Sequence, residues 1–354
     1  MAKSSRPTWS PRFLRSPWLF QLVATGAFIG LVVWRVDVRE AVEPLQRAHY
    51  GWAALALLVS ISTKIIDTVR WQLYLAKVGR APFLGLLGAY VIGNFLNNIL
   101  PMRAGDIAKV QIVANRYGLS RAGLASAVFV VESVLDGITF LILLLIGLAL
   151  LDVEFVPAPL LWSLAIVAGG GFLATVLASR FFPTRFPRWR WLRLIPVPIR
   201  EAFDEGWPRF LDGLETMRNC RLLAKAMALN FAGWLSQALM FWVFGLAFDL
   251  DLSFSSYVVI MIAAYLVVAF PVTFQNLGTY EVVLLEIMVA WDVAREEALA
   301  YATATHIITN LWIIAVGLLG LWLMRLRPRE VFAIRRSAEE RAAALPKETR
   351  PLAG

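Results

Sequence analysis

Apolar residues in this chain fall into long runs, with polar positions gathered between them. A helix crossing the hydrocarbon core of a bilayer needs about 20 largely apolar residues. Runs near that length occupy Trp18–Trp34, Gly51–Val69, Leu124–Leu151, Pro159–Ser179, Ala224–Phe248 and Leu299–Met324, and each predicts a transmembrane helix. The first closes on Val33-Trp34-Arg35 without a small-residue cleavage site, so a retained helix is expected and not a signal peptide. Two further runs are interrupted. Phe83–Leu100 stops at Pro101 and Tyr257–Phe270 stops at Pro271, each followed by a polar, glycine-containing turn and a short apolar stretch. Proline cannot continue a helix and pushes the residue before it out of helical geometry. These stretches therefore predict re-entrant or broken helical hairpins, tolerated in a membrane only where protein or a wet cavity satisfies the freed backbone. The expected fold is an all-α polytopic membrane protein with about six full transmembrane helices plus two such hairpins.

Composition agrees. The 354 residues are 59% hydrophobic and 17% charged, with a mean hydropathy of +0.66. Soluble domains carry about 25% charged residues, so the charges here are too few to cover a globular surface. The 34 Lys and Arg nevertheless exceed the 25 Asp and Glu by nine. A basic excess on a charge-poor chain points to contact with an anionic leaflet. Nucleic-acid binding is excluded, because the basic residues lie between apolar runs and do not line one folded face. The single Cys220 excludes a disulfide framework, and the two histidines, His49 and His306, are too few and too scattered for a zinc centre. No metal or cofactor is expected.

Placing the N-terminus in the cytoplasm and treating both broken runs as re-entrant puts 30 of the 34 Lys and Arg on cytoplasmic segments or their edges. Only Arg35, Arg39, Arg47 and Arg295 fall outside, among acidic residues. The expected organisation is a basic cytoplasmic N-terminus (1–17), one membrane domain (18–325) with a basic cytoplasmic connector (180–223), and a cytoplasmic tail (326–354), in the cytoplasmic membrane. The connector opens with Arg and Trp at 186–191 and continues as an amphipathic helix around Ile199–Met217, either lying on anionic lipid or serving as a solvated link.

The two broken regions overlay at an offset of 175, which places Asp106 on Glu281 and Leu124-Ala125 on Leu299-Ala300. Units 51–151 and 224–324 then form an inverted repeat, with hairpin tips expected near the bilayer midplane. Matching broken segments of this kind point to a substrate site in secondary transporters.

A charge at the centre of a membrane helix costs on the order of 2.5–3.5 kcal/mol on insertion scales, so such groups pair or serve a pathway. At the first tip, Pro101 and Gly105 make the break, Asn97 and Asn98 offer neutral donors and acceptors, and Arg103 offers a planar fork for phosphate or carboxylate. The bland reading pairs Arg103 with Asp106. At the second tip Pro271 and Gly278 make the break, Gln275 and Asn276 are polar, and Glu281 opens the outgoing helix, where a carboxylate also serves as a helix-terminal partner. Glu132 and Asp136, four apart, share a helix face and need cations from another helix; Arg103, Lys109, Lys64 and Arg70 are the candidates. An ion-pair network and substrate contact both fit them. Arg70-Trp71 reads as an interfacial anchor, Lys64 as a snorkelling lysine, and His306 as a hydrogen-bonded packing histidine.

Arg70-Trp71, the Asn97…Pro101…Gly105-Asp106 break with Lys109 beyond it, Glu132…Asp136, and Pro271…Gly278…Glu281 together resemble the flippase-like family called the lysylphosphatidylglycerol synthase transmembrane region. That region forms the membrane part of the multiple peptide resistance factor and also occurs alone. The resemblance covers about 50 to 325. Ser133 stands where the family commonly has Arg, and Gln275-Asn276 where it often has paired glycines, which leaves the head group open. With Gly354 the last residue and no aminoacyl-transferase domain in view, the resemblance implies lipid translocation and not lipid aminoacylation. The expected substrate-binding set is Asn97, Asn98, Arg103, Asp106, Glu132, Asp136, Gln275, Asn276 and Glu281, with no catalytic residue. Expected partners are membrane lipids, the anionic leaflet and a lipid-modifying enzyme, but no nucleic acid. The rival reading is a membrane enzyme or accessory subunit acting on polyprenyl- or glycolipids in envelope biosynthesis.

Overall fold

The computed structural model describes residues 17–35, 41–100, 104–151, 158–181, 197–269 and 272–326, and every element of secondary structure among them is helical. The basic N-terminus and most of the tail lie outside these residues, as do Pro101, Arg103, Pro271 and the Arg/Trp-rich segment at 186–191.

Four of the six predicted spans form helices long and apolar enough to cross a membrane: Tyr50–Tyr74, Arg121–Leu151, Cys220–Leu246 and Arg295–Leu323. The first, third and fourth are α3, α11 and α14. The second is composite, joining α6 (Arg121–Ala125), a π-helical segment (Ser126–Glu132) and α7 (Ser133–Leu151). The other two predicted spans lie in α1 (Pro17–Arg35) and α8 (Ala158–Phe181), whose described apolar stretches, Val23–Trp34 and Ala165–Phe181, are shorter. A short α2 (Val42–Arg47) precedes α3. Large apolar side chains such as Leu58, Ile146, Leu235 and Leu311 stand exposed on the long helices, as expected where hydrocarbon and not water is the surrounding solvent.

Both predicted breaks interrupt the helices. α4 (Phe83–Ile99) stops as Leu100 turns extended (φ −102°, ψ 141°), and α5 (Ala104–Tyr117) begins after 101–103. α5 returns antiparallel to α4: Gly93 faces Gly105, and Gly85 faces Tyr117. Gly105 is required there, since a Cβ would run into the Gly93 carbonyl and lie 2.7 Å from the Asn97 backbone nitrogen. The second break separates α12 (Phe254–Ala269) from α13 (Thr279–Val289), with a 3-10 turn (Phe274–Asn276) between them. Its backbone is left-handed at Gln275 (φ 54°), Asn276 (59°) and Gly278 (82°). Glycine meets both demands at 278, because a Cβ there would also approach the Phe28 Cβ to 2.7 Å.

Element order repeats along the chain. Helices of 25 and 17 residues, a break, and helices of 14 and 31 residues are matched by 27, 16, 11 and 29.

The chain forms two compact units, each drawn from three separate stretches. One comprises Met1–Thr63, Thr139–Trp162 and Ala232–Leu311, and contains the α12–α13 hairpin. In it the half-buried Trp234 packs against Phe140 and Tyr265, with centroids at 4.2 and 4.9 Å. The other comprises Lys64–Ile138, Ser163–Phe231 and Trp312–Gly354, and contains the α4–α5 hairpin. Its core gathers Trp71, Leu86, Ile92, Leu124, Leu135 and Met217.

The connector helix is present as α9 (Val197–Gly213), followed by α10 (Glu215–Arg218). Leu211, Leu214 and Met217 are buried in the protein core, and the Ser126 hydroxyl donates to the Phe210 carbonyl at 2.8 Å. Leu211, Leu214 and Met217 are therefore committed to protein, where the expectation was a helix lying on anionic lipid or a solvated link.

Candidate functional site: two buried polar centres

The first centre belongs to the unit containing α4 and α5. The end of α3 carries Lys64, Asp67 and Arg70 at spacing three, which puts them on one helix face. The second turn of the hairpin's return helix supplies Lys109, and its first turn supplies Asp106. Glu132 is the last residue of the π segment, and Asp136 lies in the first turn of α7.

These charges interlock. Arg70 Nη1 donates to Asp136 Oδ1 at 2.9 Å, while Nη2 lies 3.5 Å from Asp67 and 3.6 Å from Glu132. Lys109 Nζ is 3.1 Å from Glu132 Oε2 and 3.3 Å from Asp106 Oδ1, and sits over the rings of Trp71 and Tyr90 at 5.6 and 5.0 Å. Tyr90 donates its hydroxyl to Asp67 at 2.9 Å, and Asn97 donates its amide to Asp106 at 3.1 Å. Lys64 reaches Asp67 at 3.9 Å. Arg70 and Lys109 are only 3% and 2% exposed. Desolvating each ion costs several kcal/mol, so charges at this depth persist only through such mutual pairing. Arg70 and Trp71 are thus core residues, a correction to the reading of this pair as an interfacial anchor. Residue type alone does not separate the two roles; the carboxylates that draw Arg70 inward come from distant helices.

The network does not exhaust its donors. Arg70 Nε, Trp71 Nε1 and Tyr74 Oη are buried with no acceptor among the described residues. Buried donors in proteins nearly always find a partner, protein or water. These atoms mark where an oxygen acceptor fits: guanidinium and indole N–H groups suit a phosphate or carboxylate.

The second centre belongs to the unit containing α12 and α13. Glu281, on the first turn of α13, accepts the Gly278 backbone N–H at 2.7 Å through Oε2, and so caps the start of its own helix. Its other oxygen lies 2.6 Å from His306 Nδ1 on α14. The Tyr280 ring stacks on the imidazole at 4.4 Å. Below this pair Thr305 bonds to the Tyr301 carbonyl at 2.8 Å, and Tyr301 reaches the Phe241 carbonyl at 2.9 Å. The tip is tied down further by Thr273 to Thr279 at 2.9 Å, and by Phe274 N–H to the Thr25 hydroxyl of α1 at 2.8 Å.

Of the nine expected binding residues, Asn97, Asp106, Glu132 and Asp136 come together in the first centre. Asn98 lies beside Asn97 in the last turn of α4, Gln275 and Asn276 form the second tip, and Glu281 has both the capping role and a buried imidazole partner. Arg103 lies outside the described residues. Arg70, Lys109 and Lys64, named as possible partners for Glu132 and Asp136 but not among the expected binding residues, belong to the network. Tyr90 and the partnership of His306 were missed. The repeat offset held a clue, since it lays Ile307 on Glu132 and so puts His306 next to the matching position. Among the described residues no group of three His, Cys, Asp or Glu is placed to hold a metal ion.

A UPF0104 membrane protein of Methanothermobacter thermautotrophicus is 23% identical over 313 residues, covering 82% of this chain and 88% of that protein. No solved structure matches the chain. The family described as the lysylphosphatidylglycerol synthase TM region matches residues 18–317, a span holding both hairpins and every residue of the two centres. This all-helical membrane protein therefore belongs to the lysylphosphatidylglycerol synthase TM region family.

Proposed function

We propose that the protein moves a polar or anionic phospholipid or glycolipid between the leaflets of the cytoplasmic membrane, as a flippase-like transporter with both termini in the cytoplasm. The observation that carries this reading is the first polar centre: a largely buried network of fixed charges, with spare donors suited to a head-group oxygen. A purely structural network would gain nothing from leaving guanidinium and indole N–H groups unanswered at depth. In this reading the head group exchanges places with the carboxylates around Arg70 and Lys109, while the acyl chains remain in hydrocarbon, which spares the cost of moving a whole amphiphile. Arg103, in the three-residue link between α4 and α5, makes the first contact together with Asn97 and Asn98. The polar tip at Gln275 and Asn276 serves the same role in the other repeat. The matched element order of the two repeats and the distribution of Lys and Arg support an inverted repeat, the arrangement in which broken segments of this kind mark a substrate site.

A flip assay in proteoliposomes with fluorescent anionic and zwitterionic lipids tests this. Arg103→Ala and Arg70→Lys are expected to slow translocation of the anionic probe by about tenfold or more, the loss of one charge-assisted contact, without changing elution on gel filtration. Equal rates for the wild type and both variants would refute the assignment.

A further inference from the structure

The basic side chains of the first centre are not held alike. Arg70 is met by Asp67, Glu132 and Asp136, and Lys109 by Asp106 and Glu132. Lys64 is met by one carboxylate, Asp67, at 3.9 Å. That is too long for a hydrogen bond, and the amino group makes none among the described residues. Asp67 is not free to close the gap, because Oδ2 already accepts the Tyr90 hydroxyl at 2.9 Å and Oδ1 lies toward Arg70 at 3.5 Å. The face of the Tyr90 ring gives Lys64 a second, weaker hold at 5.7 Å. Exposure divides the three in the same way: the Lys64 side chain is 25% exposed, against 4% for Arg70 and 2% for Lys109. Lys64 is also deep. It stands two residues past the midpoint of α3, which runs for 25 residues. A span centred on the bilayer therefore keeps it near the midplane, beyond the reach of a snorkelling stem.

From this we infer that Lys64 is the open binding position of the first centre, and that its ligand is a phosphoryl oxygen of the lipid head group. The position rests on the geometry; naming a lipid as its occupant rests on the proposed translocation. An amino group is a compact donor suited to a single phosphate oxygen, without the planar fork that commits Arg70 to its carboxylates. An oxygen arriving at Lys64 has no short ion pair to break, whereas one arriving at Arg70 or Lys109 must displace a carboxylate from 2.9 or 3.1 Å. Lys64 is thus where a head group is held before any of those pairs opens. Trp71 follows seven residues later, two turns along α3, and so shares the same face. Its buried indole N–H, left without an acceptor, is the next donor a head group meets on that face.

Cys220 is the single cysteine, so Cys220→Ser gives a full-length background without thiols. On it Lys64→Cys is treated with aminoethyl methanethiosulfonate in phosphate-free maltoside micelles, with Ala89→Cys, at a fully buried position of α4, as the reference. Reaction at position 64 is expected to be several-fold faster than at 89. It is expected to slow several-fold when phosphatidylglycerol is added, but not when a galactolipid lacking phosphate is added. Equal reaction at the two positions, protection by the galactolipid as well, or no protection by any phosphate compound overturns the site. Protection by inorganic phosphate and not by phosphatidylglycerol overturns the lipid as its occupant. Should Lys64→Cys not fold, Lys64 itself is labelled in the unaltered chain with a bilayer-soluble isothiocyanate and read by peptide mass spectrometry. Lys109 is then the buried reference, and the same outcomes decide. Transport is read separately in proteoliposomes. Lys64→Cys is expected to flip a fluorescent anionic lipid several-fold more slowly than the wild type, and to recover on aminoethyl but not on methyl modification. No loss in the variant, or equal rates after the two modifications, overturns contact during transport. A protein protected by phosphatidylglycerol at position 64 that flips no lipid retains the binding position and loses only the transport reading.

Discussion

Gly105 and Gly137 are both helical glycines, but they stand in different surroundings. Around Gly137 a Cβ would meet nothing within 4 Å, so Gly137→Ala is expected to stabilise α7 by about 0.5–1 kcal/mol. At Gly105 the obstacle is the backbone of α4, which cannot rotate aside; Gly105→Ala is expected to cost on the order of 1–3 kcal/mol or more and to pry the hairpin apart. Thermal unfolding in detergent separates the two, and the idea of a tight glycine crossing fails if both variants melt alike. Lys109 is tested on the same scale. Lys109→Met leaves Asp106 and Glu132 without their common cation and is expected to destabilise by about 3–5 kcal/mol, whereas Lys109→Met with Glu132→Met recovers part of that loss, because fewer charges remain buried unpaired. The need of Glu132 and Asp136 for cations from elsewhere was legible in the sequence, and so was the short list that contained Arg70 and Lys109. That Arg70 and Lys109 reach them was not, since that is decided by how α3 and α5 pack and not by spacing along either helix.

At the scale of elements, the runs of apolar residues located all the long helices, and α4 and α12 each end two residues before a proline. The π segment was not legible: Ser126–Glu132 reads as ordinary helix, and one extra residue per turn is set by what packs against it. Such bulges often occur at functional sites, and this one ends on Glu132. It is held by the connector, through Ser126 to Phe210 and through the burial of Leu211 beside it. Leu211→Ala is therefore expected to cost about 2–5 kcal/mol and to speed proteolysis between 197 and 218. Lys77→Ala, which removes an ion pair to Glu215 from a lysine more than half exposed, is expected to cost at most about 1 kcal/mol. Equal protease sensitivity in the two variants would mean that the connector is not fastened through its apolar side. The amphipathic pattern was read correctly as a helix; what its apolar side meets is a tertiary fact that the pattern does not contain.

At the scale of the whole molecule, each unit is a composite of three stretches, and α3, α7, α8, α11 and α14 each give residues to both. This bears on how the protein is made. Residues 295–311 complete the unit that holds Glu281 and His306, and residues from 312 onward complete the unit that holds Arg70 and Lys109. During synthesis neither unit is complete until α14 has emerged: the charges of the first centre, all on residues 64–136, can pair early, but Glu281 must wait for His306. A chain stopped before 295 is expected to reach the membrane yet remain protease-sensitive throughout, with no half of it acquiring native protection, and pulse-labelling with protease challenge would show whether one does. The last helix thus acts as a closing pin for an assembly that is otherwise already in the membrane, and the time spent waiting for it is when the protein depends most on the quality control of its host membrane.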